Sequence, residues 1–359
     1  MNIVALKKLW TLLLSLVLLL SCCACGPAPS QTEQPAPAPE AAEPVILKFG
    51  LTVAANQPYA VSMQQFADRV AELSEDRLQV EMFFDGSLGG DRELYESLQV
   101  NAVQLTAIGP ASICNLIPEY ALFDLPCVFE TVDAAHGVQD GAAGQALLQA
   151  AEDSGVGLKA LAYYDNGWYQ ISNNHAPLTR VEQLQGVDIR SMQSSLQMHS
   201  WECLGANPTV IAWNELYMSL QQGLVTAQET TVGSFYSAAF YDSQSYLTLS
   251  DRLFHVMVLF ISEQCWDKLS PEQRDIISQA AAETAAAHRD FNQQQTAAML
   301  DLLREEHGVQ VDLLEEGQWQ LMRELSQPVY EETRQYIAND SLYQLFLDAA
   351  AEANGDFPR

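Results

Sequence analysis

Hydrophobic and polar residues alternate with two different periods early in the chain. Residues 45–51 form an apolar-rich strand segment, and apolar positions from Met63 to Leu73 then recur at helical spacing. From Leu78 to Phe84 every second residue is apolar, which is the period of a strand. Strand, helix and strand in this order predict a βαβ unit and a fold of the α/β class with mixed, largely parallel sheets.

The same alternation continues further along the chain. A helix is predicted from Glu215 to Gln222, where Asn214 would cap the first turn and Gly223 would end the last one. Further strands are predicted at residues 157–164, 187–192 and 209–211. The pattern therefore indicates α/β architecture over most of the chain.

A long helix is predicted after Ser270. The sequence Ser270-Pro271-Glu272-Gln273 supplies an N-cap, a first-turn proline and the glutamine of a capping box. Neither proline nor glycine follows until Gly308, so an unbroken helix would be roughly 50 Å long at about 1.5 Å per residue. A helix of this length could brace two lobes.

The N-terminal segment has the features of a secretory signal. Lys7 and Lys8 precede an apolar run at residues 9–20, which is shorter than the about 20 residues needed to span a bilayer. The run ends at Ser21-Cys22, where a small residue precedes a cysteine as in bacterial lipoproteins. We therefore predict a signal peptide at residues 1–22 with lipid attachment at Cys22, or alternatively at Cys25; an ordinary signal peptide is the other interpretation.

The boundaries of the folded body follow from composition and length. Residues 23–45 are rich in Pro, Ala, Glu, Gln, Ser and Thr, so they predict a disordered tether. The remaining body of about 310 residues exceeds what one core usually organises. The predicted division is residues 46–167 with about 256–300 for the first lobe, 168–255 with about 301–345 for the second, and a flexible tail at 346–359. The crevice between two such lobes is the expected binding site.

Charge and motifs exclude several function classes. The net charge of −29 makes nucleic acid an unexpected partner. The histidines and the body cysteines show no metal-ligand spacing, and no phosphate-binding loop or nucleophile elbow is present in the sequence. We predict no metal, no cofactor and no enzymatic activity; a surface hydrolase would need residues that only the fold assembles.

Several segments together resemble one known family. The segments are Gly86 to Leu94, Pro118 to Tyr120 with Phe123 to Pro126, Tyr164 to Trp168, Leu184 to Met192, Leu204 to Thr209, Glu215 to Gly223 and Ala227 to Glu229. In this order, over nearly all of residues 46–330, they resemble the extracytoplasmic solute receptors of tripartite ATP-independent periplasmic (TRAP) transporters, the dicarboxylate-binding family.

The resemblance implies two lobes that close on a small organic acid. Arg190 stands where the family grips the ligand carboxylate, and a guanidinium can meet a carboxylate in two parallel hydrogen bonds. Trp213 stands where members place an aromatic ring against the carbon skeleton of the ligand, although it could instead pack in the core.

Two positions depart from the family pattern. Thr230 follows Gln228-Glu229 where an asparagine is usual, and Tyr169 follows Trp168 where many members carry an arginine. The missing cation favours a monocarboxylate with an apolar or hydroxylated tail over a dicarboxylate or a sialic-acid-like ligand. The predicted ligand-binding residues are Arg190, Trp213, Tyr169, Thr230, Trp168 and Gln193; the aromatic members could alternatively belong to the core.

The expected function is therefore capture and delivery. A lipid-anchored monomer outside the cytoplasm would bind a small carboxylate and hand it to the small and large membrane subunits of a TRAP permease. Because the resemblance implies ion-coupled transport, no nucleotide site is expected on this chain. A ligand sensor for a receptor kinase needs the same cleft and is the alternative from another functional class.

Overall fold

The computed structural model describes residues 43–355. The predicted signal peptide, Cys22, Cys25 and the tether up to residue 42 lie outside this range, as do residues 356–359. The strands are β1 Val45–Gly50, β2 Leu78–Phe83, β3 Leu105–Ile108, β4 Leu158–Asn173, β5 Asp188–Ser191, β6 Asn207–Val210, β7 Ala227–Thr231, β8 Tyr246–Leu249, β9 Phe254–Ser262 and β10 Gln310–Leu313.

Helices alternate with these strands. In chain order they are α1 Pro58–Leu73, α2 Asp91–Gln99, α3 Pro110–Ile113, α4 Val132–Asp140, α5 Ala142–Asp153, α6 Ser195–Cys203, α7 Trp213–Gln221, α8 Val232–Ser237, α9 Glu263–Lys268, α10 Pro271–Glu305, α11 Gln318–Leu325, α12 Gln327–Ile337 and α13 Asp340–Asn354. Short 3₁₀ turns occupy Pro118–Asp124, Val181–Leu184 and Phe240–Asp242.

The strands form two sheets that share β4. The order in the first is β2-β1-β3-β9-β4, and the second continues from β4 through β7 and β5 to β6, with β8 and β10 on its other side. Five strand pairs are parallel and four are antiparallel, and all three pairs made by β4 are antiparallel. The predicted α/β class with mixed, largely parallel sheets is confirmed.

Strand β4 connects the two halves of the body. Its first part pairs with β9 in one sheet, and its last part pairs with β7 and β8 in the other. The register with β9 shifts between Asp165 and Gly167, which bends the strand at the junction of the sheets. We call the halves built on the two sheets the first and the second lobe.

Each sheet is covered on both faces by helices. Two hydrophobic clusters flank the first sheet, one around Phe123 and Phe260 and the other around Phe49 and Phe66. The clusters around Trp201 and around Phe235 flank the second sheet. Because a strand covered on both faces of its sheet exposes neither set of side chains to water, this arrangement explains the largely apolar segment Phe254–Ser262, which is buried at every position.

The long helix is confirmed and one predicted cap is wrong. Helix α10 runs for 35 residues without interruption, and the Ser270 hydroxyl accepts from the Gln273 amide as predicted. Helix α7, in contrast, begins at Trp213, and Ala212 holds the N-cap position without a side-chain hydrogen bond. Asn214 therefore lies inside the first turn, where its side chain cannot act as the N-cap.

The C-terminal helices differ from the sequence prediction. Helix α13 packs against α4 and α5 of the first lobe, and Phe346 is fully buried there. The expected flexible tail is therefore wrong for residues 346–354, because regularly spaced apolar side chains anchor them. Within residues 43–355, none of the helices has the length and apolar character needed to cross a membrane.

Candidate ligand-binding cleft

The carboxyl ends of three parallel strands meet in the second lobe. Arg190 is the third residue of β5, Thr230 lies near the end of β7, and Trp213 opens α7 directly after β6. Strand β5 pairs in parallel with both β6 and β7. Since parallel strands end at the same edge of a sheet, the three side chains are brought to one place although they are far apart in sequence.

The first lobe contributes the corresponding edge of its own sheet. Thr52 follows β1, Asp91 opens α2 after β2, and Ser112 lies in α3 after β3. These strands are parallel neighbours as well. The cleft is thus formed by the carboxyl ends of strands from both lobes, which is the usual ligand position in open α/β sheets.

A cavity of about 340 Å³ lies between these two edges. Its volume falls within the range of small-molecule sites. The lining residues are Thr52, Val53, Tyr59, Gly90, Asp91, Arg92, Glu93, Gly109, Ser112, Asn166, Tyr169, Arg190, Met192, Gln193, Ala212, Trp213, Asn214, Glu215, Thr230, Ser234, His255 and Met257.

Arg190 is held as a buried cation on the wall of the cavity. The side chain is 5% exposed, and its Nε donates to the carbonyl oxygen of Ile211 over 3.0 Å. Within residues 43–355, no carboxylate forms an ion pair with the Arg190 guanidinium. Burial lowers the pKa of Arg190, although nearby Tyr169 and Asp91 oppose this shift. The Nε contact orients the guanidinium and leaves both Nη groups available to an anionic ligand.

Asp91 is the carboxylate on the opposite wall. It is half-buried, and its two oxygens accept hydrogen bonds from the hydroxyl groups of Thr52 at 3.2 Å and Ser112 at 2.7 Å. Burial raises the pKa of Asp91, while these hydroxyl donors and Arg190 act in the opposite direction. Each carboxylate oxygen has two acceptor sites, so Asp91 retains acceptor capacity toward the cavity.

Tyr169 and His255 form a stacked pair on the floor of the cleft. The Tyr169 hydroxyl donates to the Met192 sulfur at 3.4 Å. Burial lowers the pKa of His255 to about 3, so this ring is neutral at physiological pH. A Cβ atom at Gly109 would lie 2.6 Å from the His255 Nε2 atom, so the ring needs a glycine at this position.

Asn166 joins the floor of the cleft to both lobes. Its Oδ1 accepts from Gln57 at 2.9 Å and from Thr231 at 3.2 Å, and its Nδ2 contacts the His255 Nδ1 at 3.2 Å. Gln57 also donates to Ser234 at 2.8 Å. This buried network fixes the ring of His255 beneath the cavity.

The structure brings together five of the six predicted site residues. Arg190, Trp213, Tyr169, Thr230 and Gln193 all line the cavity, with Trp213 half-buried and Gln193 exposed at its edge. Trp213 also packs edge-on against Phe240 with ring centroids 5.4 Å apart, so it both lines the cavity and contributes to core packing.

Trp168 lies on the opposite face of β4. Consecutive residues of a strand point to opposite faces, so Trp168 and Tyr169 cannot both face the cleft. Trp168 packs against Phe254 at a centroid distance of 5.1 Å and lines a separate cavity of about 430 Å³ beside α10. The prediction that Trp168 contributes to the cleft is therefore wrong.

Sequence reasoning missed Asp91, His255 and Asn166 as cavity residues. Asp91 and Asn166 lie within two of the segments that carried the family resemblance, so a signal was present. His255 follows no motif, and only the pairing of β9 with β4 places it beside Tyr169.

Glu229 forms an ion pair with a different arginine from the one that lines the cavity. It forms a buried ion pair with Arg252, whose Nη1 donates to the Ser200 hydroxyl at 2.7 Å. The Arg252 guanidinium also lies over the Trp201 ring at 4.4 Å. Because the Glu229 carboxylate is paired with Arg252, it does not neutralise the Arg190 guanidinium on the cavity wall.

Comparison with known proteins decides the family. Residues 49–336 match the family described as bacterial extracellular solute-binding protein, family 7. The chain belongs to this family. The resemblance to TRAP solute receptors is thereby confirmed, and the comparisons favour a transport receptor over a sensor.

Relatives within family 7 cover most of the chain. The C4-dicarboxylate-binding protein DctB of Bacillus subtilis is 29% identical over 303 residues, which is 84% of this chain and 86% of that protein.

Two solved structures of the family are similar throughout the body. A sugar acid binding protein from Advenella mimigardefordensis, in complex with galactonate, is 32% identical with a TM-score of 0.83 and covers 87% of this chain and 99% of its own. A TRAP periplasmic solute-binding protein from Polaromonas, bound to D-erythronate, is 29% identical with a TM-score of 0.79, covering 84% of this chain and 98% of its own.

Proposed function

We propose that this protein captures a small organic acid in the cleft and delivers it to an ion-coupled TRAP permease. The observation that supports the proposal most strongly is Arg190, a 5% exposed guanidinium that lines the cavity without an ion pair in the described part of the chain. A buried charge without a partner is costly, so a protein that keeps one gains from an anion that binds there.

The ligand carboxylate would be held in the second lobe. The Nη groups of Arg190 would donate two parallel hydrogen bonds to it, and Thr230 and Gln193 would contribute polar contacts from the same lobe. Trp213 and Tyr169 would pack against the carbon skeleton. The first lobe would reach the ligand from the other side through Thr52, Asp91 and Ser112.

Ligand binding would favour a closed arrangement of the lobes. The contacts from the two lobes reach one ligand together only when the cleft is shut, so binding shifts the population toward that state. Strand β4 and helix α10 run between the lobes, and the register shift near Gly167 provides a place where β4 can bend. The predicted division of the chain into lobes at 46–167 with about 256–300, and 168–255 with about 301–345, belongs to this proposal.

The family relatives support carboxylate ligands as a class. DctB is named for C4-dicarboxylates, and the two solved structures hold galactonate and D-erythronate. Capture in this protein is proposed to be non-catalytic. No group of residues that could hold a metal ion occurs in the described range.

The N-terminal sequence supports an anchored receptor outside the cytoplasm. The proposal includes removal of a signal peptide, lipid attachment at Cys22 or alternatively Cys25, and a tether ahead of β1 that holds a monomeric body near the permease. Mass spectrometry of the membrane fraction would identify the lipidated residue.

Arg190→Ala tests the binding proposal. Wild-type protein should melt at a higher temperature with its organic acid, because a ligand that binds only the folded state stabilises it. Loss of two charge-assisted hydrogen bonds should weaken binding by about 100-fold or more and remove this shift. The unliganded melting temperature should stay within a few degrees of wild type.

Arg92→Ala is the matched control for Arg190→Ala. Arg92 also lines the cavity, but its side chain is 68% exposed and paired with Glu96 at 2.9 Å. The ligand-induced shift should persist in this variant. An equal shift in wild type and Arg190→Ala, measured by a thermal screen with a panel of organic acids, would remove Arg190 from the site.

A further inference from the structure

The buried part of the cavity holds one cation and one carboxylate. Of its charged lining residues, Arg92, Glu93 and Glu215 are exposed. His255 is neutral because burial lowers its pKa to about 3. Arg190 and Asp91 therefore dominate the electrostatics that a bound ligand would meet, and they belong to opposite lobes.

A second ligand carboxylate near Asp91 would be unfavourable. Like charges repel strongly where water is excluded, and an ionised carboxylate has no proton to donate to Asp91. Among the described cavity residues, Arg190 is the one buried cation, so no second one would compensate that charge. The other arginine, Arg92, is exposed and forms an ion pair with Glu96.

A ligand hydroxyl near Asp91 would be favourable. Asp91 accepts one hydrogen bond on each oxygen, from Thr52 and Ser112, and each oxygen has room for another donor. Hydrogen bonds to a charged acceptor are stronger than neutral ones. Thr52 and Ser112 also fix the orientation of the carboxylate, so it is ready to accept before the ligand arrives.

The rest of the cavity wall is suited to hydroxyl groups as well. The wall includes the hydroxyl groups of Thr230 and Ser234, which can both donate and accept hydrogen bonds. It also includes the Asn166 amide, which carries a donor and an acceptor side by side. Ser234 and Asn166 already form hydrogen bonds with each other, with Gln57 and with Thr231. The wall therefore offers the Thr230 hydroxyl and the remaining acceptor sites of Ser234 and Asn166 to hydroxyl groups along a carbon chain.

We infer that Asp91 determines ligand specificity: it accepts hydrogen bonds from the hydroxyl groups of a polyhydroxy monocarboxylate and excludes acids with a second carboxylate at that position. This inference rests on the proposed function, in which Arg190 binds the first carboxylate. It selects sugar-acid-like monocarboxylates over dicarboxylates as the substrate class.

Paired acids test the inference on the unmodified protein. Aldonic acids of four to six carbons are each compared with the aldaric acid of the same skeleton, for example D-gluconate with D-glucarate, which differ only in the terminal group. Calorimetry should show that the wild-type protein binds the monocarboxylate of a pair about tenfold or more tightly than the dicarboxylate, which is the effect of one charge-assisted hydrogen bond on affinity.

Two variants test the residue itself. Asp91→Asn keeps the shape and removes the charge, so the preference for the monocarboxylate should fall by about tenfold. Ser112→Ala removes one of the donors that orient Asp91 and should weaken monocarboxylate binding severalfold. Glu215→Gln is the control, because it removes an exposed carboxylate from the same cavity, and its preference should stay within about twofold of wild type.

The outcomes separate this inference from the proposed function. A wild-type protein that binds the dicarboxylates as tightly as their partners would overturn the role of Asp91, as would an Asp91→Asn variant with unchanged preference. If binding still depends on Arg190 in either case, carboxylate capture stands and only the specificity inference fails. Should no acid show Arg190-dependent binding, the proposed function itself is overturned.

Discussion

The rings of Tyr169 and His255 stack with centroids 4.6 Å apart and an angle of 19° between their planes. The two residues come from β4 and β9, which are antiparallel neighbours in the first sheet. His255 is 4% exposed, and the Asn166 amide contacts its Nδ1. The pair therefore forms a neutral, buried floor beneath the cavity.

The buried His255 should make the protein less stable in acid. Burial lowers its pKa to about 3, whereas the unfolded chain takes up a proton near pH 6.5. The unfolded state thus binds more protons between these values, and stability is lost as the pH falls from 6.5 toward 3. Burial lowers the pKa of His288 too, which adds a contribution of the same sign.

Urea unfolding at pH 7 and pH 5 measures this effect. His255→Gln should lose about 2 kcal/mol less than wild type between the two values, since one pKa unit corresponds to about 1.4 kcal/mol. Parallel losses in the two proteins would show that His255 titrates normally in the folded state.

Asp124 should act in the opposite direction over nearly the same range. Burial raises its pKa to about 7, against the hydrogen bond from Gln197 and the charge of Arg252. Its Oδ1 accepts from Gln197 at 3.2 Å, and its Oδ2 has no hydrogen-bond partner among residues 43–355. The folded state holds a proton that the unfolded state has released above pH 4, so stability is lost as the pH rises toward 7.

Asp124→Asn tests this sign. The variant should gain about 2 kcal/mol relative to wild type when the pH is raised from 5 to 8, because the amide never ionises. The free energy of unfolding in urea at the two pH values is the measurement. A difference between variant and wild type that does not change with pH would contradict the prediction.

Tyr169→Phe should affect binding more than folding. In the described part of the chain, the one hydrogen-bond partner of the Tyr169 hydroxyl is a thioether sulfur, which is a weak acceptor. Removal of the hydroxyl should therefore change the unfolding free energy by less than about 1 kcal/mol. A ligand acceptor in the cavity would be a better partner, and losing it should weaken binding by about fivefold to tenfold. Calorimetry with an acid that binds the wild type is the measurement; equal affinities would exclude the hydroxyl from ligand contact.

Glu229→Gln should destabilise the second lobe strongly. The variant leaves Arg252, a 1% exposed cation, without its carboxylate, at a cost of about 3–5 kcal/mol. Glu283→Gln is the comparison, because Glu283 pairs with Arg69 on the surface, where such pairs contribute about 1 kcal/mol or less. Similar unfolding free energies for the two variants would show that burial of the pair does not matter.

Local features of the fold were predictable from sequence because their causes are local. The Ser270 capping box and the absence of helix breakers predicted α10, and alternating residues predicted β2. The cap at Asn214 was predicted too late in the chain, since Ala212 takes the N-cap position without a polar side chain to indicate it. The anchoring of Phe346 depends on α4 and α5, which no local pattern reveals.

For the binding site, the sequence determined the α/β class, the family and the position of Arg190, because strand ends and family segments are read along the chain. The tertiary structure alone decided that Tyr169 faces the cleft and Trp168 does not, and that Asp91 lies opposite Arg190. It also showed that Glu229 is bound to Arg252. These relationships depend on which face of a strand a side chain occupies and on how two sheets meet, which long-range packing sets.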